Sequence, residues 1–395
     1  MTLETRKRNR AFFILCAAIF VAMLGVGIII PFLPIYAKEL GAGGLWLGII
    51  FSGFAFSRSM VMPFIGRISD RQGRKKLLAV GLLFYSLLSL AYIYASSAPA
   101  LALVRLIHGL ASALVLPIAT AYIGDLAKKA GEGRAMGTFN LALFSGFGFG
   151  PLMGGMLHDW LSFSAAFLAM GLLSLVSFLL VWIALPESPR ALGISPRQPE
   201  SLPHFKDILK NDALQAVLSY RFLHSIGRGA ISAFLPLFAA QTLGLSTSVI
   251  GLVISFQILS ASALQYPMGV LADKVSRRFL VMIGSLGAAP LLMLIPHTHN
   301  FTGLFLVAIM SGVMSSFSFP ASTAMAVEKG RSLGMGSVMG FFSTAMDWGL
   351  MIGPLIAGVI YDYLDLSRVF YFGGSMELVG VLAFAFLTRN LAKRN

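Results

Sequence analysis

Apolar residues in this chain run in long stretches that only a few polar side chains interrupt. About 20 such residues in a helix are enough to cross the ~30 Å hydrocarbon core of a membrane. The pattern therefore predicts an all-α membrane protein with twelve transmembrane helices, here called spans 1 to 12. These predicted spans lie near residues 11–37, 45–66, 77–95, 100–124, 135–157, 163–185, 214–240, 248–270, 279–296, 302–327, 335–360 and 368–389.

The second half of the chain repeats the first at an offset of 203 residues without a gap. The offset superposes Gly66 on Gly269, Asp70 on Asp273, Arg74 on Arg277, Pro117 on Pro320, Asp125 on Glu328 and Asp159 on Asp362. Such a repeat predicts two six-helix bundles related by a pseudo-twofold axis, which is typical of membrane transporters with a substrate path between the repeats. We expect these bundles at 1–185 and 214–395, with the proline-rich segment 186–213 as a cytoplasmic linker.

Basic residues decide the orientation that we predict for the spans. Although 57% of the residues are hydrophobic, the net charge is +14, and most of the Lys and Arg residues lie in every second connection. This distribution indicates topology and not nucleic-acid binding, and the positive-inside rule places both termini in the cytoplasm. We therefore expect a multi-pass protein of the plasma membrane, most simply the inner membrane of a bacterium.

The loop after span 2 reads Gly66-Arg67-Ile68-Ser69-Asp70-Arg71-Gln72-Gly73-Arg74-Lys75 and resembles the signature of the major facilitator superfamily. A weaker copy without the second glycine follows span 8. The resemblance implies that Asp70 faces the positive N-terminal end of span 11 and that Arg74 pairs with Asp125. It implies a cytoplasmic latch, made of Gly66, Asp70, Gly73, Arg74 and Asp125 in the first half and of Asp273, Arg277 and Glu328 in the second.

Span 5 carries a glycine-proline motif that resembles the one of the twelve-helix drug:proton antiporter family. Glycines four residues apart share a helix face and let another backbone approach, while a proline bends or loosens the helix. Span 11 nearly repeats the motif, so we expect it to serve conformational change. The motif residues are Gly137, Gly146, Gly150, Pro151, Gly154 and Gly155, with Gly349, Gly353, Pro354 and Gly358 in span 11.

Three ionisable residues inside the spans are candidates for proton coupling: Asp347, Glu377 and His108. Ionisable groups within a membrane are functional candidates by default, because burying them is costly. Permanent ion pairing of the carboxylates with arginines is the alternative, and a hydrogen-bonded structural role is the alternative for His108. Span 1 has no acid, although many drug:proton antiporters have one there, so their coupling chemistry does not transfer directly.

The substrate path is predicted from charge and from adaptable apolar side chains. Its candidates are Arg58, Arg105, Arg228, Phe144, Met346 and Met351. Arg105 belongs to a stretch that resembles the buried-arginine motif of the superfamily. Arg221 lies on the same helical face as Arg228, seven residues before it, and is expected to extend toward the cytoplasmic surface. Because arginines outnumber acids, an anionic or zwitterionic amphiphile, including a lipid headgroup, is a reasonable substrate.

The sequence lacks the motifs on which three common classes of enzyme site depend: the phosphate-binding loop, the zinc-hydrolase motif and the serine-hydrolase motif. The chain has no GxxxxGK[ST], HExxH or GxSxG pattern, and its single cysteine allows no cysteine-based metal site. Without a phosphate loop, we expect no cofactor and the proton gradient as the energy source. The expected function is efflux of small hydrophobic or amphipathic compounds in exchange for protons, by a monomer in the lipid bilayer. The alternatives are a lipid or lipid-linked glycan flippase of the same fold and a sugar or metabolite exporter.

Overall fold

A computed structural model of the chain describes residues 3–126, 132–187 and 211–389, and every regular element in these ranges is helical. Twelve of the helical segments are long and apolar enough to cross a membrane, and they match the twelve predicted spans to within a few residues. The helices are Leu3–Ile28 with Leu33–Glu39 (span 1), Gly44–Gln72, Lys75–Tyr94, Ala98–Ala113 with Leu116–Leu126 (span 4), Glu132–Trp160, Phe163–Leu179, Asp212–Gln241, Thr247–Lys274, Arg277–Leu294, Phe301–Leu333, Met335–Tyr363 and Leu366–Thr388.

Several spans begin with a cap from their own sequence. The side chains of Ser97, Ser162, Asn300 and Asp365 each accept a hydrogen bond from the backbone N–H three residues later. Such a cap satisfies one of the N–H groups that a helix leaves unpaired at its start. These polar residues therefore end the connections and begin the next span.

The described residues form two compact units. Unit N comprises 3–41, 56–126, 132–187 and 246–255, and unit C comprises 42–55, 211–245 and 256–389. The start of span 2 thus belongs to unit C, and the start of span 8 belongs to unit N. Most of the predicted linker 186–213 lies outside the described residues, and the bundle boundaries stay a prediction.

Helix packing inside the two units follows the sequence repeat. In unit N, span 1 packs on spans 5 and 6, and span 3 packs on span 6. In unit C, span 7 packs on spans 11 and 12, and span 9 packs on span 12. Adding six to both span numbers converts each contact of unit N into a contact of unit C. The repeated sequence therefore forms the same internal contacts twice.

Candidate substrate and proton site

A buried histidine–carboxylate pair lies in unit C, between spans 7 and 12. His224 Nδ1 is 2.6 Å from Glu377 Oε2, and the two residues are 5% and 2% exposed. Glu377 lies 11 residues after Leu366, which is about 16 Å along the helix and hence near the middle of the membrane. Among the described residues, the hydrogen-bonded partner of this carboxylate is therefore a histidine.

The second oxygen of Glu377 has a different environment. Oε1 is buried and makes no hydrogen bond with the described residues. A buried carboxylate oxygen without a donor is costly while the group is charged, and protonation removes that cost. The geometry can therefore hold a proton on Glu377, whose other oxygen is hydrogen-bonded to the His224 imidazole.

Arg221 lies one turn before His224 on the same helix and is 5% exposed. Its Nη2 donates to Met346 Sδ at 3.0 Å, and its guanidinium lies 4.6 Å from the Phe319 ring centre and 5.0 Å from that of Phe342. The prediction that Arg221 extends to the membrane surface is wrong. Aromatic faces and a polarisable sulfur stabilise the guanidinium inside the unit instead.

Arg228 and Asp347 complete the charged cluster of unit C. Arg228 lies near the middle of the 30-residue helix of span 7 and is exposed, although its neighbours Gly227 and Gly229 are buried. Asp347 is 2% exposed. Arg228 lies within electrostatic range of Glu377, and Arg221 of both carboxylates. The cluster therefore combines two arginines, a histidine and two acids.

Unit N has a different cluster, formed by aromatic and basic residues of spans 3 and 4. The hydroxyl of Tyr92 is 2.9 Å from His108 Nδ1, and the Tyr85 ring meets the imidazole edge-on at 4.7 Å between centres. His108 is fully buried, and Arg105 is 8% exposed. This geometry favours the hydrogen-bonded structural role over a proton relay for His108, whose part in coupling stays a prediction.

The remaining path candidates are only partly buried. Arg58 and Phe144 keep intermediate exposure in unit N, as do Met346 and Met351 in unit C. The carbonyl of Met351 accepts a hydrogen bond from Ser52 Oγ. The place of these residues in the substrate path stays a prediction.

At the predicted cytoplasmic end of unit N, Arg74 forms a buried ion pair with Asp125. Arg74 Nε is 2.5 Å from Asp125 Oδ2, and the side chains are 5% and 9% exposed. Glu187 accepts hydrogen bonds from the backbone N–H groups of Arg74 and Lys75 at 2.9 and 3.1 Å. Gly73 has φ +94°, and a Cβ there would lie 2.9 Å from the Glu187 carboxyl carbon. Glycine is therefore required in this turn.

Sequence reasoning did not find Glu187. The only signal is an acid that directly follows span 6, in a segment otherwise interpreted as linker. Its carboxylate satisfies the first N–H groups of span 3, where the helix dipole favours a negative charge. Glu187 therefore stabilises the same turn that carries the predicted latch residues Gly73 and Arg74.

The second copy of the latch is more exposed. Arg277 Nη1 is 2.6 Å from Glu328 Oε2, and their side chains are 29% and 57% exposed, while Asp273 is 3.8 Å from Arg277. A Cβ at Gly66 would meet no atom within 4 Å. The side chain of Asp70 lies outside the part of the chain that the structure describes, so its predicted contact with span 11 stays a prediction.

We expect Arg74→Met to lower the free energy of unfolding by about 3 kcal/mol, because it leaves a nearly buried aspartate without its counter-charge. The equivalent change Arg277→Met breaks an exposed pair, and its cost should stay below about 1 kcal/mol. Denaturant unfolding of both variants in detergent micelles, followed by tryptophan fluorescence, measures the difference. Equal losses would contradict the distinction between the two copies.

The glycine-proline motif packs against backbone. In unit N, a Cβ at Gly146 or Gly154 would meet the carbonyls of Phe20 and Ile28 in span 1, and one at Gly150 would lie 2.5 Å from Gly27 Cα. Gly349 and Gly353 approach the carbonyls of Phe222 and Ile226 in span 7 of unit C in the same manner. Gly137 and Gly340, by contrast, have no atom within 4 Å of an added Cβ. The structure therefore divides the motif into tightly packed and open positions.

Comparison with known proteins identifies the family. The model of the Major Facilitator Superfamily matches residues 15–221 and 217–395. The chain belongs to this superfamily. It is 29% identical over 387 residues to an uncharacterized MFS-type transporter of Methanocaldococcus jannaschii, covering 97% of this chain and 100% of that protein. It is 27% identical to multidrug resistance protein 2 of Bacillus subtilis, covering 96% of each.

A solved structure confirms the fold of this superfamily member. The crystal structure of a bacterial homologue of the human lysosomal transporter Spinster, inward-facing and occupied, matches it with a TM-score of 0.78, covering 98% of this chain and 97% of that one. The identity of 15% carries no information on substrate. The superfamily member is thus a multi-pass membrane transporter, and its relatives include multidrug transporters.

Proposed function

We propose that this transporter exports small hydrophobic or amphipathic compounds in exchange for protons by alternating access, and that Glu377 carries the proton. The observation that carries the proposal is the buried Glu377 carboxylate, which is hydrogen-bonded to His224 through one oxygen, while the other oxygen makes no hydrogen bond with the described residues. The multidrug relative from Bacillus subtilis supports the substrate class.

The charges of the unit C cluster explain how a proton and a substrate can be exchanged. When Glu377 is ionised, its negative charge offsets the nearby arginines, and a neutral or cationic amphiphile is tolerated there. When Glu377 is protonated, the arginines make the same region more positive and disfavour such a compound. Because proton and substrate have opposite electrostatic preferences, binding of one lowers the affinity for the other, which is the coupling that antiport requires.

Asp347 is the second candidate for the proton. It is as buried as Glu377, and Arg221 lies within electrostatic range of both carboxylates. We assign the proton to Glu377, because its Oε1 makes no hydrogen bond with the described residues, and a charge-balancing role to Asp347. The proposed location is the plasma membrane, with both termini in the cytoplasm, as the basic connections indicate.

A lipid flippase is the second candidate function, because of the exposed Arg228. An arginine at the centre of a span costs about 2.5 to 3.5 kcal/mol on insertion scales unless it faces water or a partner. A transported headgroup with a phosphate would be such a partner. This function predicts transfer of labelled phospholipid between leaflets, independent of a pH gradient.

The test uses the purified protein in liposomes of neutral phospholipid with an imposed pH gradient. We expect a cationic fluorescent dye to accumulate in the acidic compartment, and a protonophore to abolish the accumulation. A rate of dye transport that does not change with the pH gradient would exclude exchange of dye for protons. Transfer of labelled lipid in the same vesicles, without dye transport, would favour the flippase.

A further inference from the structure

The starts of spans 2 and 8 have aspartate caps that come from distant parts of the sequence. The N–H groups of Gly44 and Leu45 donate to Asp362 Oδ1 and Oδ2 at 2.6 and 2.8 Å in unit C. Asp362 lies in the last turn of span 11, 318 residues from Gly44. This contact is therefore unlike the local caps of the other spans.

Unit N contains the same arrangement. The N–H groups of Thr247 and Ser248 donate to Asp159 Oδ1 and Oδ2 at 3.2 and 2.7 Å. Adding 203 to residues 44, 45 and 159 gives 247, 248 and 362, so both caps occupy equivalent positions in the repeat. Two independent hydrogen-bond pairs thus form one repeated feature at the predicted outward end of the spans.

The charge of these aspartates is explained by the helix that they cap. An acid in the last turn of its own helix faces the negative end of that helix dipole, which is unfavourable. At the start of another helix the same acid satisfies two unpaired N–H groups and meets the positive end of the dipole. Asp159 and Asp362 therefore stabilise the contact between two spans more than either span alone.

Glycines bring the backbones together next to each cap. A Cβ at Gly358 would meet the carbonyl of Gly44, and one at Gly155 would meet the carbonyl of Thr247. One turn further along, a Cβ at Gly48 would lie 2.9 Å from Leu355 Cα. Each capped span start therefore lies in backbone contact with the span that supplies its aspartate.

Two equivalent serines extend both contacts toward the motif prolines. Ser255 Oγ accepts from the N–H of Leu152 at 2.9 Å, directly after Pro151, and Ser52 Oγ donates to the carbonyl of Met351. Prolines loosen the backbone bonds of the adjacent turn, so side chains from another span can satisfy the freed groups. Since 52 plus 203 is 255, these serines also belong to the repeat.

We propose that Asp159 and Asp362 form a paired outward lock that sets how often the transporter opens to the outside. Each cap joins residues of the first sequence half to residues of the second. Opening the outward end in alternating access requires the halves to separate there, so both caps must break. The proposal rests on alternating access, but on neither proton coupling nor the identity of the substrate.

The expected effect of removing each aspartate cap can be derived from the measured cost of replacing capping residues in other helices. Replacing an Asp cap by Ala typically costs a helix enough to change an equilibrium about fivefold. Since Asp159 and Asp362 share no partner, the two effects should multiply to about 25-fold. Asp→Asn keeps an oxygen acceptor and loses the charge, so its shift should lie between those of wild type and Ala.

The experiment measures distances at the outward end by double electron–electron resonance in lipid nanodiscs. Spin labels are placed at Tyr94→Cys and His299→Cys, both exposed positions, after the single native cysteine is removed by Cys16→Ala. All samples are kept at one pH, because His158 Nδ1 lies 3.1 Å from Asp159 Oδ1. The readout is the ratio of the long-distance to the short-distance population, without substrate or gradient.

Asp159→Ala and Asp362→Ala should each raise this ratio about fivefold and together about 25-fold. The matched control is Asp365→Ala, which removes a cap of the same chemistry at the same end, but one local to span 12. An unchanged ratio in either cap variant, or an equal rise in Asp365→Ala, would overturn the lock. This ratio is measured without dye and without a gradient. Failure of the outward lock can therefore be distinguished from failure of the proposed proton-coupled dye transport.

Discussion

Glu377→Gln should reduce gradient-driven dye transport at least about 100-fold while the transporter remains folded. Glutamine keeps the shape of the side chain and a hydrogen bond to His224, but it can neither release nor accept the coupling proton. The energy of the gradient then has no group through which to act. The measurement is dye accumulation in liposomes under an imposed pH gradient, compared with wild type.

Dye exchange without a gradient separates loss of coupling from loss of folding. Exchange of labelled for unlabelled dye needs conformational change but no proton, so Glu377→Gln should retain it. Asp212→Asn is the matched control, since it removes an exposed acid of the same unit at the start of span 7. Normal gradient-driven transport by Glu377→Gln would show that Glu377 does not carry the proton. Asp347 would then be the remaining carboxylate candidate of unit C, and Asp347→Asn would test it in the same assay.

Gly154→Ala should destabilise unit N by about 3 kcal/mol, whereas Gly137→Ala should be neutral or stabilise it by up to about 1 kcal/mol. Both glycines belong to one motif, but a Cβ at residue 154 overlaps the carbonyl of Ile28, and one at 137 meets nothing within 4 Å. Overpacking against backbone forces span 5 away from span 1. At an open helical position, Ala instead removes the entropic cost of Gly.

The repeat supplies a second pair of variants for the same test. Gly353→Ala should behave like Gly154→Ala, since its Cβ would overlap the carbonyl of Ile226, and Gly340→Ala should behave like Gly137→Ala. Denaturant titration in micelles gives the four free energies of unfolding. Equal effects at open and packed positions would show that motif membership, rather than backbone contact, decides stability.

Hydropathy was sufficient to predict the spans, because a membrane helix must satisfy its own backbone and cover its surface with apolar side chains. The motif in the loop 66–75 and the offset of 203 residues then predicted the family, which the family model confirmed. The wrong prediction concerned Arg221. Its sequence position near the end of span 7 permits extension to the surface, and only the contacts with Met346 and the two phenyl rings show that it lies inside.

The family resemblance predicted the pair of Arg74 and Asp125, which the structure confirms, but the other partners distant in sequence could not be predicted. Glu377 and His224 are 153 residues apart, and Asp362 and Gly44 are 318 apart. The sequence contained a signal for the caps, since Asp159 and Asp362 are equivalent in the repeat, but it did not show what they contact. An acid in the last turn of a helix indicates a partner only when the neighbouring helix start is known.

The sequence by itself determined the twelve spans, their repeat and the superfamily, because these depend on local hydropathy and on short motifs. Tertiary structure decided which ionisable residues meet, which motif glycines touch another backbone and which aspartates cap a distant span. Those properties depend on distances of a few ångströms between segments far apart in the chain. Packing of the spans sets these distances, and the order of the residues alone does not specify them.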